Sequence, residues 1–245
     1  MANARSASRA LSMFETFGAE GRPLLLTELA PLIDVPLSSC HGLVRTLLDR
    51  GYLYALSRRR GFYPTRKLYT LAQTIAAKDS YLQRLAPFLE RLRDDSGETV
   101  IVGTLQGEAV LYLEVLEGPK TIRYSARPGD FKPLHSSAIG KALLSAGGEA
   151  LWKKLAARPL SDVTVNTITD PAHLRDNLEE GARRGYFVTR GENVSDVTAI
   201  ATALEVEGMT LGIAIAGPSY RMAETIEAQT GRLLQARSEI EERLG

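Results

Sequence analysis

Few residues in this chain can make or break bonds. Cys40 is the one cysteine, and His41, His135 and His173 lie far apart, so neither a disulfide nor a zinc-ligand spacing is available. His135 adjoins Ser136, but neighbours on an extended segment point to opposite sides, which argues against a nucleophile and its base. No His-Glu-x-x-His, Gly-x-Ser-x-Gly, Gly-x-Gly-x-x-Gly or Cys-x-x-Cys occurs. Gly140-Lys141 lacks the upstream glycine and the following hydroxyl residue of a phosphate loop. The expectation is a protein that is no enzyme and needs no cofactor. Two kinds of binding chemistry remain. Arg58, Arg59 and Arg60 form a run of guanidinium groups suited to phosphates. Ser136-Ser137 precede a helical Ala138-Ile139-Gly140-Lys141 stretch, whose first amides and partial positive charge suit a small carboxylate. Simple capping of that helix by Ser136 or Ser137 is the plainer alternative.

The elements that would position the arginines lie in a basic N-terminal third. Residues 1–67 hold 10 Lys/Arg against 5 Asp/Glu, whereas the remainder is net acidic, although the whole chain carries only +1. A basic front on a neutral protein is the footprint of a phosphate-binding surface. Leu11, Phe14 and Phe17 predict an amphipathic helix from Ser8 that stops at Gly18. A short helix over 26–30 is closed by Pro31 and must lean on a neighbour. The neighbour is a helix over 37–50, ended by Gly51 in a left-handed cap. Cys40, Leu43, Val44, Leu47 and Leu48 fall on one face of it, making Cys40 a core residue. Ser38, Gly42, Arg45 and Asp49 fall on the other, flanked by Ser39, His41 and Thr46. Two helices joined by a tight turn, the second presenting short polar groups, is the pattern of a helix-turn-helix reading a major groove. Residues 52–56 and 62–64 then predict a hairpin whose tip holds Arg58, Arg59 and Arg60.

Further on, Leu68, Leu71, Ala72 and Ile75 predict a connecting helix over 67–78, and Leu82, Leu85, Leu89 and Leu92 a second over 81–93, kinked at Pro87. Strands are expected over 100–105, 109–116, 121–125, 186–190, 197–206 and 211–216. Helices are expected near 138–145 and 171–185 and from Met222. Strands framed by helices make an antiparallel α+β unit. No apolar stretch approaches the roughly 20 residues a bilayer span needs, nor does the N-terminus carry a signal core, so a cytoplasmic protein without membrane partners is expected.

The chain resembles the IclR family of bacterial transcription regulators over nearly its whole length. The N-terminal marks are Ser8-Arg9-Ala10-Leu11, Thr27-Glu28-Leu29-Ala30, the run from Val35 to His41, the run from Leu47 to Leu53, and Gly61-Phe62-Tyr63. The later marks are the run from Lys132 to Leu144, Gly185-Tyr186, Gly191-Glu192, and Ala214-Ile215-Ala216-Gly217-Pro218 followed by Arg221. The resemblance implies an α+β protein with a winged helix-turn-helix (1–66), a linker helix (67–79) and a GAF-like effector-binding domain (80–245). It further implies a homodimer or tetramer on double-stranded, palindromic operator DNA. Ser38, Ser39, His41, Gly42, Arg45, Arg58, Arg59 and Arg60 would then face DNA. Gly42 departs from the family, where arginine commonly stands, leaving Arg45 to take over one turn along.

In relatives the helix start after Ser137 and the loop over 191–198 enclose a small-molecule effector. Carried over, this assigns Ser137, Ala138 and Ile139 to the ligand together with Val197, Ala199, Ala214 and Ala216. Relatives that bind small oxo-acids tend to carry cysteine or serine at the three alanine positions. Alanines there predict a larger, partly hydrophobic acid, aromatic or acyl. Asp196 replaces a frequent glycine, which leaves its place at the pocket open. A DNA-binding scaffold that takes no effector is the alternative.

Overall fold

The computed structural model describes residues 5–56, 61–78 and 80–245, and the chain divides into two units, Met1–Ser80 and Tyr81–Gly245. In the first, α1 (Arg5–Glu20) begins before Ser8 and continues through Gly18 to Glu20. One glycine costs a helix only about 1 kcal/mol, and the turn falls instead at Gly21, with φ +63°. Leu11 is 63% exposed, and Met13 and Phe17 face the core in its place. α2 (Leu26–Leu32) runs one residue past Pro31. A turn through Asp34, at φ 49°, leads into α3 (Leu37–Asp49), whose Cys40, Val44 and Leu47 are buried against α1 and α2. Gly51, at φ +71°, ends it as expected.

β1 (Leu53–Ala55) and β2 (Phe62–Pro64) pair antiparallel. Leu24 adds a bridge to Phe62, with both backbone hydrogen bonds formed at 3.1 and 2.8 Å. Gly61 sits beneath that bridge at φ +87°, where a Cβ would lie 2.3 Å from the Leu24 carbonyl oxygen. The three arginines expected at the tip, Arg58, Arg59 and Arg60, lie outside the described residues. α4 (Lys67–Ala76) follows, with no buried residue.

The second unit is a six-stranded antiparallel sheet between helices. Its strands are β3 (Thr99–Gln106), β4 (Ala109–Leu116), β5 (Phe131–Pro133), β6 (Phe187–Arg190), β7 (Val197–Val206) and β8 (Met209–Pro218), in the order β5-β4-β3-β8-β7-β6. Alternation along each strand sorts side chains to two faces. Val100, Val102, Ile200, Ile213 and Ile215 point to α5 (Ser80–Ser96) and the 26-residue α9 (Ser219–Leu244). Ile101, Tyr112, Ala201, Ala214 and Ala216 point to the opposite face, where α6 (Ala138–Ala146) and α8 (Pro171–Arg184) pack.

Three expectations change here. Residues 121–125 form no strand, because that segment is held by side chains: Thr99 Oγ1 donates to the Tyr124 carbonyl and Arg221 Nη2 to the Ile122 carbonyl. The strand that borders β4 is β5, too short to show a period. A helix over Gly148–Ala156, α7, was not foreseen. α8 follows its sequence code closely, with Asp170 capping the amides of Ala172 and His173, Pro171 in the first turn and Gly185 left-handed at the end.

Candidate functional site

The first candidate surface is the outer face of α3. With Cys40 and Val44 turned inward, helical spacing leaves Ser38, His41, Gly42 and Arg45 exposed and Ser39 half-buried. Arg45 makes no ion pair among the described residues, so its guanidinium is uncommitted. Other members of the basic front are engaged: Lys67 Nζ donates to the Arg50 carbonyl at the end of α3 at 2.7 Å and lies 4.8 Å from the Tyr52 ring centre. That contact caps a helix C-terminus with a cation. A Cβ built at Gly42 meets nothing within 4 Å. Gly42→Ala is therefore expected to stabilise the chain by about 0.5–1 kcal/mol, read from urea denaturation. A loss of stability would show that the helix needs glycine there.

The second site is a cavity beneath α6. Ser137 caps this helix, accepting the Gly140 N–H at 3.1 Å and donating to the Pro133 carbonyl at 2.6 Å, so the plain capping reading holds for Ser137. It is not the whole account, because Ser137 Oγ reaches only the third amide. The first two, from Ala138 and Ile139, have no protein acceptor among the described residues, and both residues line the cavity. The helix comes this close to the sheet because β8 is glycine at 212, where a Cβ would sit 2.4 Å from Ile139 Cγ2.

Strand alternation supplies the floor. Ala199 pairs with Ala216 across β7 and β8, and Ala214 pairs with Ile101 across β8 and β3. All four, with Val197, line the cavity. Every residue assigned to the pocket from the sequence thus falls on it. Asp196 does not: it is exposed, and its carbonyl accepts the Ser219 amide at 2.8 Å. The structure adds wall residues that were missed, notably Tyr112, Tyr124, Thr189 and Asn193. Thr189 could have been found, since it stands opposite Ala199 on β6. The tyrosines come from β4 and an irregular segment whose place no local pattern gives.

Asn193 and Val194 also line the cavity, and a buried ion pair holds the residue that precedes them. Lys141, fully buried on α6, reaches Glu192 Oε2 at 2.6 Å and Asn177 Oδ1 at 2.8 Å. Burial pushes the Lys141 ammonium below its ordinary pKa and the Glu192 carboxyl above its own, each partly offset by the other's charge. Thr167 Oγ1 donates to the Glu192 carbonyl at 2.7 Å. Gly191, at φ +70°, is closed in by the Ser195 carbonyl and the Asn166 side chain. The sequence marks contained both Lys141 and Glu192 but not their pairing, which spans 51 residues. His135 Nε2 donates to the Ser161 carbonyl, 2.9 Å away, and Ser136 Oγ is buried without a partner among the described residues. The two therefore do not form a catalytic pair. The cavity itself is narrow, about 30 Å³, room for a water molecule or two.

A helix-turn-helix with a wing, followed by a sheet unit enclosing a polar-ended cavity, defines a DNA-binding regulator. The chain belongs to the IclR family: the IclR helix-turn-helix domain matches residues 6–57, and the family described as bacterial transcriptional regulator IclR C-terminal matches residues 74–241. It is 32% identical over 240 residues to the HTH-type transcriptional regulator BhcR of Paracoccus denitrificans, covering 96% of this chain and 86% of that protein. Among solved structures it is similar to an IclR homologue from Microbacterium hydrocarbonoxydans complexed with 4-hydroxybenzoate, at 25% identity and TM-score 0.77, covering 97% and 98% of the two chains. The Thermotoga maritima IclR shares the fold at 24% identity and TM-score 0.82, covering 98% and 99%. This is a transcription regulator and not an enzyme. Among the described residues no helix is long and apolar enough to cross a membrane.

Proposed function

We propose that this regulator binds operator DNA through α3 and the wing and senses a partly hydrophobic organic acid in the cavity beneath α6. The observation that carries the reading is the pairing of two uncommitted helix amides, Ala138 and Ile139, with an apolar floor of Ala199, Ala214 and Ala216. A carboxylate on the amides gains charge-assisted hydrogen bonds. An aromatic or acyl body on the alanines loses water from apolar surface at about 25 cal/mol per Å². The 4-hydroxybenzoate complex of the Microbacterium homologue supports the same class of ligand. Asn193 and Val194 belong to the wall of the narrow cavity, and in this reading the body of the acid displaces them. This gives the ligand a means of favouring one conformation over another.

The protein works as a homodimer or a tetramer in this reading, and α4 is the connecting helix. Leu71 and Ile75 are 42% and 62% exposed, and a ten-residue helix with no buried face is marginal alone. A second copy of α4 would cover the stripe. Residues 1–66, 67–79 and 80–245 are accordingly assigned to DNA, connection and sensing.

Calorimetry separates the ligand classes. Benzoate and its derivatives are expected to bind with micromolar to millimolar Kd, and to raise the melting temperature in proportion to the logarithm of ligand concentration. Tight binding of glyoxylate or pyruvate with no response to aromatic acids would overturn the assignment. An absence of any thermal shift across small, aromatic and acyl acids would point to the scaffold without an effector.

A further inference from the structure

Three chain segments that shape the cavity meet at one buried carboxylate outside it. Glu98 stands just before β3, and its side chain is 1% exposed. Two glycines close around it: a Cβ at Gly118 would lie 2.8 Å from the Glu98 carbonyl carbon, and one at Gly217 would collide with the carboxylate. Glu98 leads into β3, which gives the cavity Ile101, and Gly217 lies at the end of β8, which gives it Ala214 and Ala216. Gly118 opens the third segment, which brings Tyr124 to the wall.

That third segment has little of its own to hold it. No helix or strand runs from 117 to 130, and of residues 119–125 only Tyr124 is buried. Ile122 is 65% exposed. Arg123 and Ser125 reach Glu117 through exposed bonds, which water and salt weaken. The enclosed bonds come from the corner around Glu98. Thr99 Oγ1 donates to the Tyr124 carbonyl and accepts the Gly118 amide at 3.1 Å.

Arg221, in the first turn of α9 and 17% exposed, turns its Nε to Glu98 Oε1 and its Nη2 to Oε2, the latter at 2.8 Å. Nη2 also donates to the Ile122 carbonyl at 2.9 Å. Lys120 Nζ adds a second cation 3.1 Å from Oε1, but its side chain is 44% exposed. The planar guanidinium fork therefore fixes a carboxylate on β3 and a carbonyl of the irregular segment relative to one another. A lysine ammonium, a point charge on a flexible stem, could not do both.

We propose that Glu98 and Arg221 are positioning residues of the effector cavity, setting the Tyr124 wall against the floor supplied by β3 and β8. The proposal rests on the sensing role given above to the cavity. Full-length protein is titrated by calorimetry with benzoate, and hydrogen–deuterium exchange is followed with and without it. In the unaltered protein, saturating benzoate is expected to slow exchange of the amides over 119–126. In Arg221→Lys, which keeps the charge and loses the fork, those amides are expected to exchange faster without ligand. The benzoate Kd is expected to rise about tenfold, while the melting temperature falls by only about 2–4 °C. An ion pair that served stability alone would lower the melting temperature and leave the Kd where it was, so an unchanged Kd in folded Arg221→Lys overturns the proposal. Unchanged exchange over 119–126 when benzoate binds the unaltered protein overturns it as well, and that arm needs no variant to fold. If benzoate binds and either of these results is found, only the positioning role fails. If neither benzoate nor its derivatives bind the unaltered protein, the sensing role fails and the positioning role with it.

Discussion

Lys141→Ala is expected to lower unfolding stability by about 3–5 kcal/mol, because it strands the Glu192 carboxylate in a buried site with its ammonium partner gone. Denaturant titration of the second unit's transition measures this. The direction of both perturbed pKa values states the same physics: burial outweighs mutual attraction for each group. Replacing both charges with apolar residues of similar volume, Lys141→Met with Glu192→Leu, is therefore expected to recover most of the loss. Ligand binding should not recover with it. Glu192 immediately precedes Asn193 and Val194, which line the cavity, so a double variant that is stable yet binds aromatic acids less tightly identifies the pair as a positioning device. Full ligand affinity in that variant would assign it to stability alone.

Arg45→Ala is expected to weaken operator binding by about 1–3 kcal/mol, or 5- to 150-fold, and to reduce the salt dependence of binding if the guanidinium contacts phosphate. His41→Ala should do less. Arg45 stands on the exposed face of α3 without an ion pair among the described residues, and a guanidinium offers five donors where an imidazole offers at most two. Anisotropy titrations on a promoter fragment from the gene's own neighbourhood, at two salt concentrations, give both quantities. The reverse order of effects would mean that the groove is read nearer the start of α3.

The parts that the sequence revealed are those governed by local rules. Cys40, Val44 and Leu47 follow a 3.6-residue period, and Asp170, Pro171 and Gly185 mark both ends of α8, so these helices could be placed from spacing and caps alone. The strands carrying Ala199, Ala214 and Ala216 were likewise legible as apolar runs, although the placing of these alanines at the cavity came from the resemblance. Leu11 misled because it shares a helical face with Phe14, whereas Met13, which is buried, also packs well. The failures are long-range. Residues 121–125 look strand-forming but are captured by Thr99 and Arg221, which come from distant elements. The link from Lys141 to Glu192, and the arrival of Tyr112 and Tyr124 at one cavity, likewise depend on how distant elements pack around α6. The binding role of the cavity residues came from family resemblance, and the geometry then showed which amides remain uncommitted.

The bridge between Leu24 and Phe62 has a practical consequence for rebuilding this regulator. It makes the base of the hairpin a three-stranded platform rooted at the entry to α2, and the Leu56 amide closes it by donating to the Gly61 carbonyl at 2.9 Å. Replacement segments joined at Leu56 and Gly61 would start from a fixed base, provided that Gly61 is kept, since any side chain there would collide with the Leu24 backbone.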